Sequence, residues 1–149
     1  TGEGPYKKTM KRMLGKDARV LFTGVLTYDT LPLLYSQVQA LVFPSITDTF
    51  GMAVLEAQCC ELPAIVSDKG GPMEIVIDKE TGFVLEALNF DVWVKAILDL
   101  IELHDNYPEK FRLMRRNARK SALARYGWEV VLKGLTSQEL QPKTSNLDH

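Results

Sequence analysis

Four short runs, residues 20–23, 40–43, 64–67 and 82–85, are apolar almost from end to end and show no alternation with polar residues. A strand with one face in water alternates, whereas a continuous apolar run belongs where both faces are covered, as in a parallel sheet. The intervening stretches suit crossover helices. Residues 31–38 read as a helix with Pro32 tolerated in its first turn. Residues 51–60 read as another, and 72–76 as a short one. Ahead of the first run, residues 6–16 read as a short basic helix. Alternation of strand and helix predicts a doubly wound α/β fold, a parallel sheet flanked by helices. From Asn89 the pattern turns helical. Phe90, Trp93, Ile97, Leu100 and His104 mark a helix over 90–104, Pro108 breaks it, and a second runs over 109–126 to Gly127. A last helix is expected over 128–135. Residues 1–135 then make one lobe, and the polar stretch 136–149, with Pro142, makes a disordered tail.

At 149 residues the chain can bury a core as one domain. Its net charge of −1 gives no global attraction to nucleic acid or anionic lipid, so no nucleic-acid partner is expected. The two cysteines, Cys59 and Cys60, are neighbours on one expected helix, a poor basis for a structural disulfide. With no signal-like start, no glycosylation sequon and no apolar run near the ~20 residues that span a bilayer, a cytoplasmic setting is the simplest reading. His104 and His149 are the only histidines, so neither a zinc cluster nor a Ser/His/Asp triad can be assembled, and no metal is expected.

The most specific chemistry lies in residues 44–74, PSITDTFGMAVLEAQCCELPAIVSDKGGPME. Asp48 precedes a Thr49-Phe50-Gly51 turn that opens a helix. A helix start presents backbone N–H groups, here around Met52 and Ala53, and a partial positive charge suited to phosphate. Glu56 follows about one and a half turns beyond Gly51, too far for the same phosphate at ~1.5 Å per residue. It is placed to accept hydrogen bonds from hydroxyls lying along the helix. Asp48 has two uses open to it, accepting hydroxyls of a second ring or capping the helix. A phosphate flanked by polyols describes a nucleotide-sugar. Gly70 and Gly71 follow the next strand, either as a ligand-touching loop or as a plain strand-to-helix turn, with Glu74 favoured by the helix dipole.

Asp48-x7-Glu56 around the Phe-Gly turn, with Glu56-Ala57, Leu62-Pro63 and Gly70-Gly71-Pro72-x-Glu74 in register, resembles the donor-site signature of the retaining glycosyltransferases of family 4. The resemblance runs from about residue 2 to about residue 135. It implies a GT-B architecture of two facing Rossmann-like lobes, of which this chain would be the C-terminal, donor-binding one. It further implies transfer of a hexose from a UDP- or GDP-sugar to a hydroxyl acceptor with retention of configuration and without a metal cofactor. Glu56 would hold the ribose hydroxyls, Asp48 the donor sugar, and the backbone near Leu26 the nucleobase.

The family pattern also implies two strands ahead of Thr1, a basic Arg/Lys pair that clamps the diphosphate, and a separate acceptor-binding lobe. An isolated lobe should therefore be inactive and, with sheet edges uncovered, should self-associate. A saccharide or lipid-linked acceptor fits the family, and with it a peripheral position at the inner face of a membrane. A non-catalytic nucleotide-binding or assembly module, or the lobe of a GT-B epimerase or phosphorylase, is the alternative.

Two positions depart from the pattern. Asp48 stands where the family usually has Glu, about 1.5 Å shorter in reach, which bears on the hexose preferred. Glu61 stands where the family usually has Gly just past the helix, in a conformation that costs a non-Gly residue on the order of 1 kcal/mol. The cations Lys110, Arg112, Arg115, Arg116, Arg119, Lys120 and Arg125 share a helix with the apolar series Phe111, Met114, Ala118, Ala122 and Tyr126, the pattern of one buried face and a solvated remainder. Trp93 and Trp128 read as core or interlobe packing.

Overall fold

The computed structural model describes residues 2–127. The expected helix over 128–135 and the tail therefore lie outside the described residues. Two compact units result, one ending at Gln37 and the other beginning at Val38.

The first unit holds α1 (Lys7–Leu14) and α2 (Leu31–Gln37). Residues 20–23, expected as a strand, form none. Gly24 carbonyl accepts a 2.6 Å hydrogen bond from the Gly2 N–H, but the four residues before it join no ladder among the described residues. Apolar character states which side chains favour burial; a strand also needs a partner backbone, and this segment pairs with none.

The second unit contains the sheet. Strands β1 (Leu41–Phe43), β2 (Ala64–Ser67) and β3 (Gly82–Leu85) lie parallel in that order, Leu41 opposite Ala64 and Ala64 opposite Gly82. Every residue of β2 is buried, as a central strand covered on both faces requires. Its side chains alternate between two cores. Ala64 and Val66 join Val54 of α3 (Met52–Cys59) and Ile75 of α4 (Pro72–Ile75), with Val76. Ile65 points the other way, to Trp93 and Leu100 of α5 (Phe90–Asn106) and Phe111 and Met114 of α6 (Pro108–Tyr126). The architecture is the α/β parallel sheet flanked by helices that the apolar runs predicted. Trp93 is core, its indole N–H donating to the Glu86 carbonyl at 2.9 Å. Gln58 is fully buried and ties α3 to the start of β3, its side-chain N–H group donating to Thr81 O (3.3 Å) and Oγ1 (3.1 Å).

Helix α3 ends in a Schellman geometry. The Leu62 N–H reaches back to Ala57 O and the Glu61 N–H to Gln58 O, both at 3.0 Å. This ending forces Glu61 to a φ of 59°, the left-handed region that a Cβ penalises. Glu61→Gly should raise stability by about 0.5–1 kcal/mol, the relieved strain exceeding the added freedom of the unfolded chain. An unchanged or lower urea midpoint would show that Glu61 is not strained. Arg119 supports the same helix end by donating to the Cys59 carbonyl.

Candidate functional site at the carboxyl edge of the sheet

Adjacent parallel strands deliver their following loops to one edge. The loop after β1 carries Asp48, Thr49, Phe50 and Gly51; the loop after β2 carries Gly70 and Gly71. Ser67, at the end of β2, donates its hydroxyl to Ser45 O at 2.6 Å, and the Asp68 N–H reaches Leu85 O at 2.7 Å. The carboxyl ends of all three strands are thus laced together, at the edge where such sheets bind ligands.

Asp48 is the hub of the first loop. Its Oδ1 accepts the N–H groups of Phe50 (3.0 Å) and Gly51 (2.6 Å), while its own N–H lies 3.3 Å from Ser45 Oγ. Both N–H groups lie ahead of Met52, the first residue of α3, so one carboxylate oxygen of Asp48 closes an Asx turn in the loop. Asparagine retains that acceptor and alanine does not. Asp48→Ala should cost about 1 kcal/mol of stability and Asp48→Asn only a few tenths, read from denaturant midpoints. Equal losses in the two variants would show that the turn's hydrogen bonds are not what Asp48 contributes.

The second loop presses directly onto the first. The Gly71 N–H donates to Asp48 O at 3.0 Å. A Cβ at Gly71 would lie 2.3 Å from Thr49 O and 2.6 Å from the Phe50 Cα, inside any real contact. Gly51 has φ 91° and faces Pro72 of α4, with a built Cβ 3.0 Å from Pro72 Cγ. Gly70 and Gly71 therefore have a firm packing role: they let two backbones meet.

Helix α3 starts from this junction. Gly51 O accepts the N–H groups of Val54 (2.9 Å) and Leu55 (3.0 Å). Met52, in the first position, is exposed beside exposed Thr49 and Phe50, and Ala53 is half-buried. Glu56 lies four residues after Met52 and so shares its face, one turn along. The Glu56 carboxylate is half-buried and has no hydrogen bond or ion pair among the described residues. An acceptor held beside an anion-favouring helix start, and left unpaired, is suited to hydroxyls of a ligand.

Leu26 belongs to the other unit, where it is half-buried. The acids, the turn and the Gly-Gly loop are all in the second unit. Cys59 and Cys60 are free thiols; burial first, then the neighbouring Cys60, pushes the Cys59 thiol above its usual range. Among the described residues no cluster of three metal-binding side chains forms, and no helix is long and apolar enough to cross a membrane. Sequence reasoning did not single out Ser45 or Ser67, whose hydroxyls stitch the loops. Their one signal is a serine at, or just after, the end of an apolar run.

A parallel α/β lobe with an Asp-closed turn and, among the described residues, an unpaired acid at its carboxyl edge defines the class of α/β lobes that bind ligands at that edge. Within that class, the chain belongs to the glycosyl transferases group 1 family, whose sequence pattern matches residues 1–121. It is 30% identical over 128 residues to an uncharacterized glycosyltransferase of Methanocaldococcus jannaschii, a match covering 86% of this chain and 32% of that one. It is 29% identical to a GDP-mannose-dependent α-(1-6)-phosphatidylinositol monomannoside mannosyltransferase of Mycolicibacterium smegmatis, covering 87% of this chain and 35% of the relative. Among solved structures it superposes on sucrose-phosphate synthase from Thermosynechococcus elongatus with a TM-score of 0.75 at 28% identity, covering 91% of this chain and 33% of that one. The chain thus spans about a third of the length of these relatives.

Proposed function

We propose that this chain is the donor-binding, C-terminal lobe of a retaining GT-B glycosyltransferase of family 4, and that the whole protein moves a hexose from a UDP- or GDP-sugar to a hydroxyl acceptor. The observation that carries the reading is Glu56, half-buried and, among the described residues, without a hydrogen bond or ion pair to its carboxylate, one turn into the helix that the Asp48–Gly51 turn opens. In this reading Glu56 accepts the ribose hydroxyls. The positive end of α3, around Met52 and Ala53, faces the diphosphate. Asp48 offers its second oxygen to the donor sugar. Stabilising charge on the departing nucleoside diphosphate is what such a site adds to the reaction. Family membership and relatives named for sugar transfer support it.

The acceptor-binding lobe and the basic pair completing the diphosphate clamp are assigned to other parts of the protein, since the relatives are about three times as long. Transfer between two lobes needs both for acceptor positioning and water exclusion, so this chain alone should turn over no donor.

Calorimetry of UDP, GDP and ADP, and of their hexose conjugates, against the whole protein tests the reading. One nucleotide should bind, and chelation with EDTA should leave its affinity unchanged. Absence of binding by all three would remove the reading, and loss of binding with EDTA would remove its metal-free form. NMR of the anomeric centre in the product decides retention.

A further inference from the structure

We propose that Arg125 and Tyr126, the last two residues of α6, are positioning residues that hold the donor-site turn and α4 in register. The inference rests on the nucleotide-sugar reading of this edge. Helix α4 has only four residues, so no further turn follows to bond its last carbonyls. Arg125 supplies the donors: Nη2 to Glu74 O at 2.6 Å and Nη1 to Ile75 O at 3.3 Å. A planar guanidinium spans two carbonyls where an ammonium offers a single point of charge. Arg125 also lies over the Tyr126 ring, 5.2 Å from its centroid.

Tyr126 adds a long 3.5 Å hydroxyl contact to the Glu74 carbonyl and acts chiefly on the other piece. Its ring meets Phe50 edge to face, centroids 5.8 Å apart and planes at 85°. It also packs against the cluster of Val54, Ile75 and Val76. Phe50 sits between Asp48 and Gly51 in the turn, and its side chain, 43% exposed, reaches across to the Tyr126 ring. Gly51 in turn abuts Pro72 and Ile75 of α4. The last turn of α6 therefore grips both sides of the junction that opens α3. Releasing either grip should loosen the turn and α4 locally, a low-stability opening at the sheet edge, and leave the two cores in place.

The test is UDP, GDP and ADP affinity of the whole protein, with donor KM and kcat. Tyr126→Ala should weaken binding of whichever nucleotide the wild type takes by about tenfold and raise donor KM more than it lowers kcat. Tyr126→Phe keeps the ring and should restore both. Arg125→Met should weaken binding in the same way, and Arg125→Lys should not restore it; this pair carries the test if Tyr126→Ala does not fold. Phe111→Leu, in the opposite core, should lower Tm without changing affinity. Unchanged affinity in folded Tyr126→Ala or Arg125→Met overturns the inference, as does a parallel loss in Phe111→Leu. A wild type that binds none of UDP, GDP and ADP overturns the site reading and this inference with it. A wild type that binds, beside variants that bind equally well, overturns this inference alone.

Discussion

Replacing Gly71 with alanine should cost the protein its nucleotide binding while the two cores on either side of the sheet survive. The added methyl has no room. It would be placed 2.3 Å from Thr49 O and 2.6 Å from the Phe50 Cα, and both neighbours are backbone, which cannot rotate out of the way. Ordinary contact at about 3.5 Å requires the loops to part by about 1 Å, and a displacement of that size in a binding turn costs on the order of 100-fold. The hydrogen bond from the Gly71 N–H to Asp48 O is strained at the same time, and Asp48 is the residue that closes the turn on Phe50 and Gly51. Overpacking of this kind should lower stability by about 1–3 kcal/mol. Circular dichroism and calorimetry on one preparation check both halves. A folded Gly71→Ala protein with wild-type affinity would show that the loop junction does not shape the site.

The contrast between Gly71 and residues 20–23 shows what was legible before any coordinates. Runs 64–67 and 82–85 became β2 and β3 residue for residue, because each is apolar and bounded by a residue that stops it: Pro63 before one, Asp68 and Glu86 after. Pro72, Pro108 and Gly127 likewise bound helices α4 and α6 where they punctuate the sequence. Residues 20–23 look the same as sequence but form no strand, since pairing depends on a neighbour that a local pattern cannot report. The Gly-Gly loop was visible, but its packing against the first loop was not; the built distances from Gly71 to Thr49 and Phe50 show that packing. Asp48 was visible too, but not that its Oδ1 closes the loop on the Phe50 and Gly51 N–H groups. Arg125 was one cation among seven on α6. Its difference from Arg116 lies in the Glu74 and Ile75 carbonyls, some fifty residues away in sequence, that only the fold brings to it.

Glu56 is the residue whose removal separates ligand chemistry from architecture most cleanly. Glu56→Ala should weaken nucleotide binding by about 1.5–3 kcal/mol, the value of a hydrogen bond to a charged group, or roughly 10- to 150-fold. Stability should hold or rise slightly. The carboxylate forms no ion pair or hydrogen bond among the described residues, so none of these loses a partner. Alanine is also the better helix former at an interior helical position. A residue kept for architecture would behave in the opposite way, losing stability first and binding only through it. Glu56→Gln keeps an acceptor oxygen and removes the charge, so its loss should fall between wild type and alanine. Asp48→Asn gives the complementary result. It preserves an acceptor for the turn, so free UDP or GDP should bind almost as in wild type, while turnover falls if the second carboxylate oxygen meets the sugar. Unchanged nucleotide affinity in Glu56→Ala would take the ribose from this helix altogether. A drop in nucleotide affinity and turnover together in Asp48→Asn would place Asp48 on the phosphate side of the turn and not on the sugar.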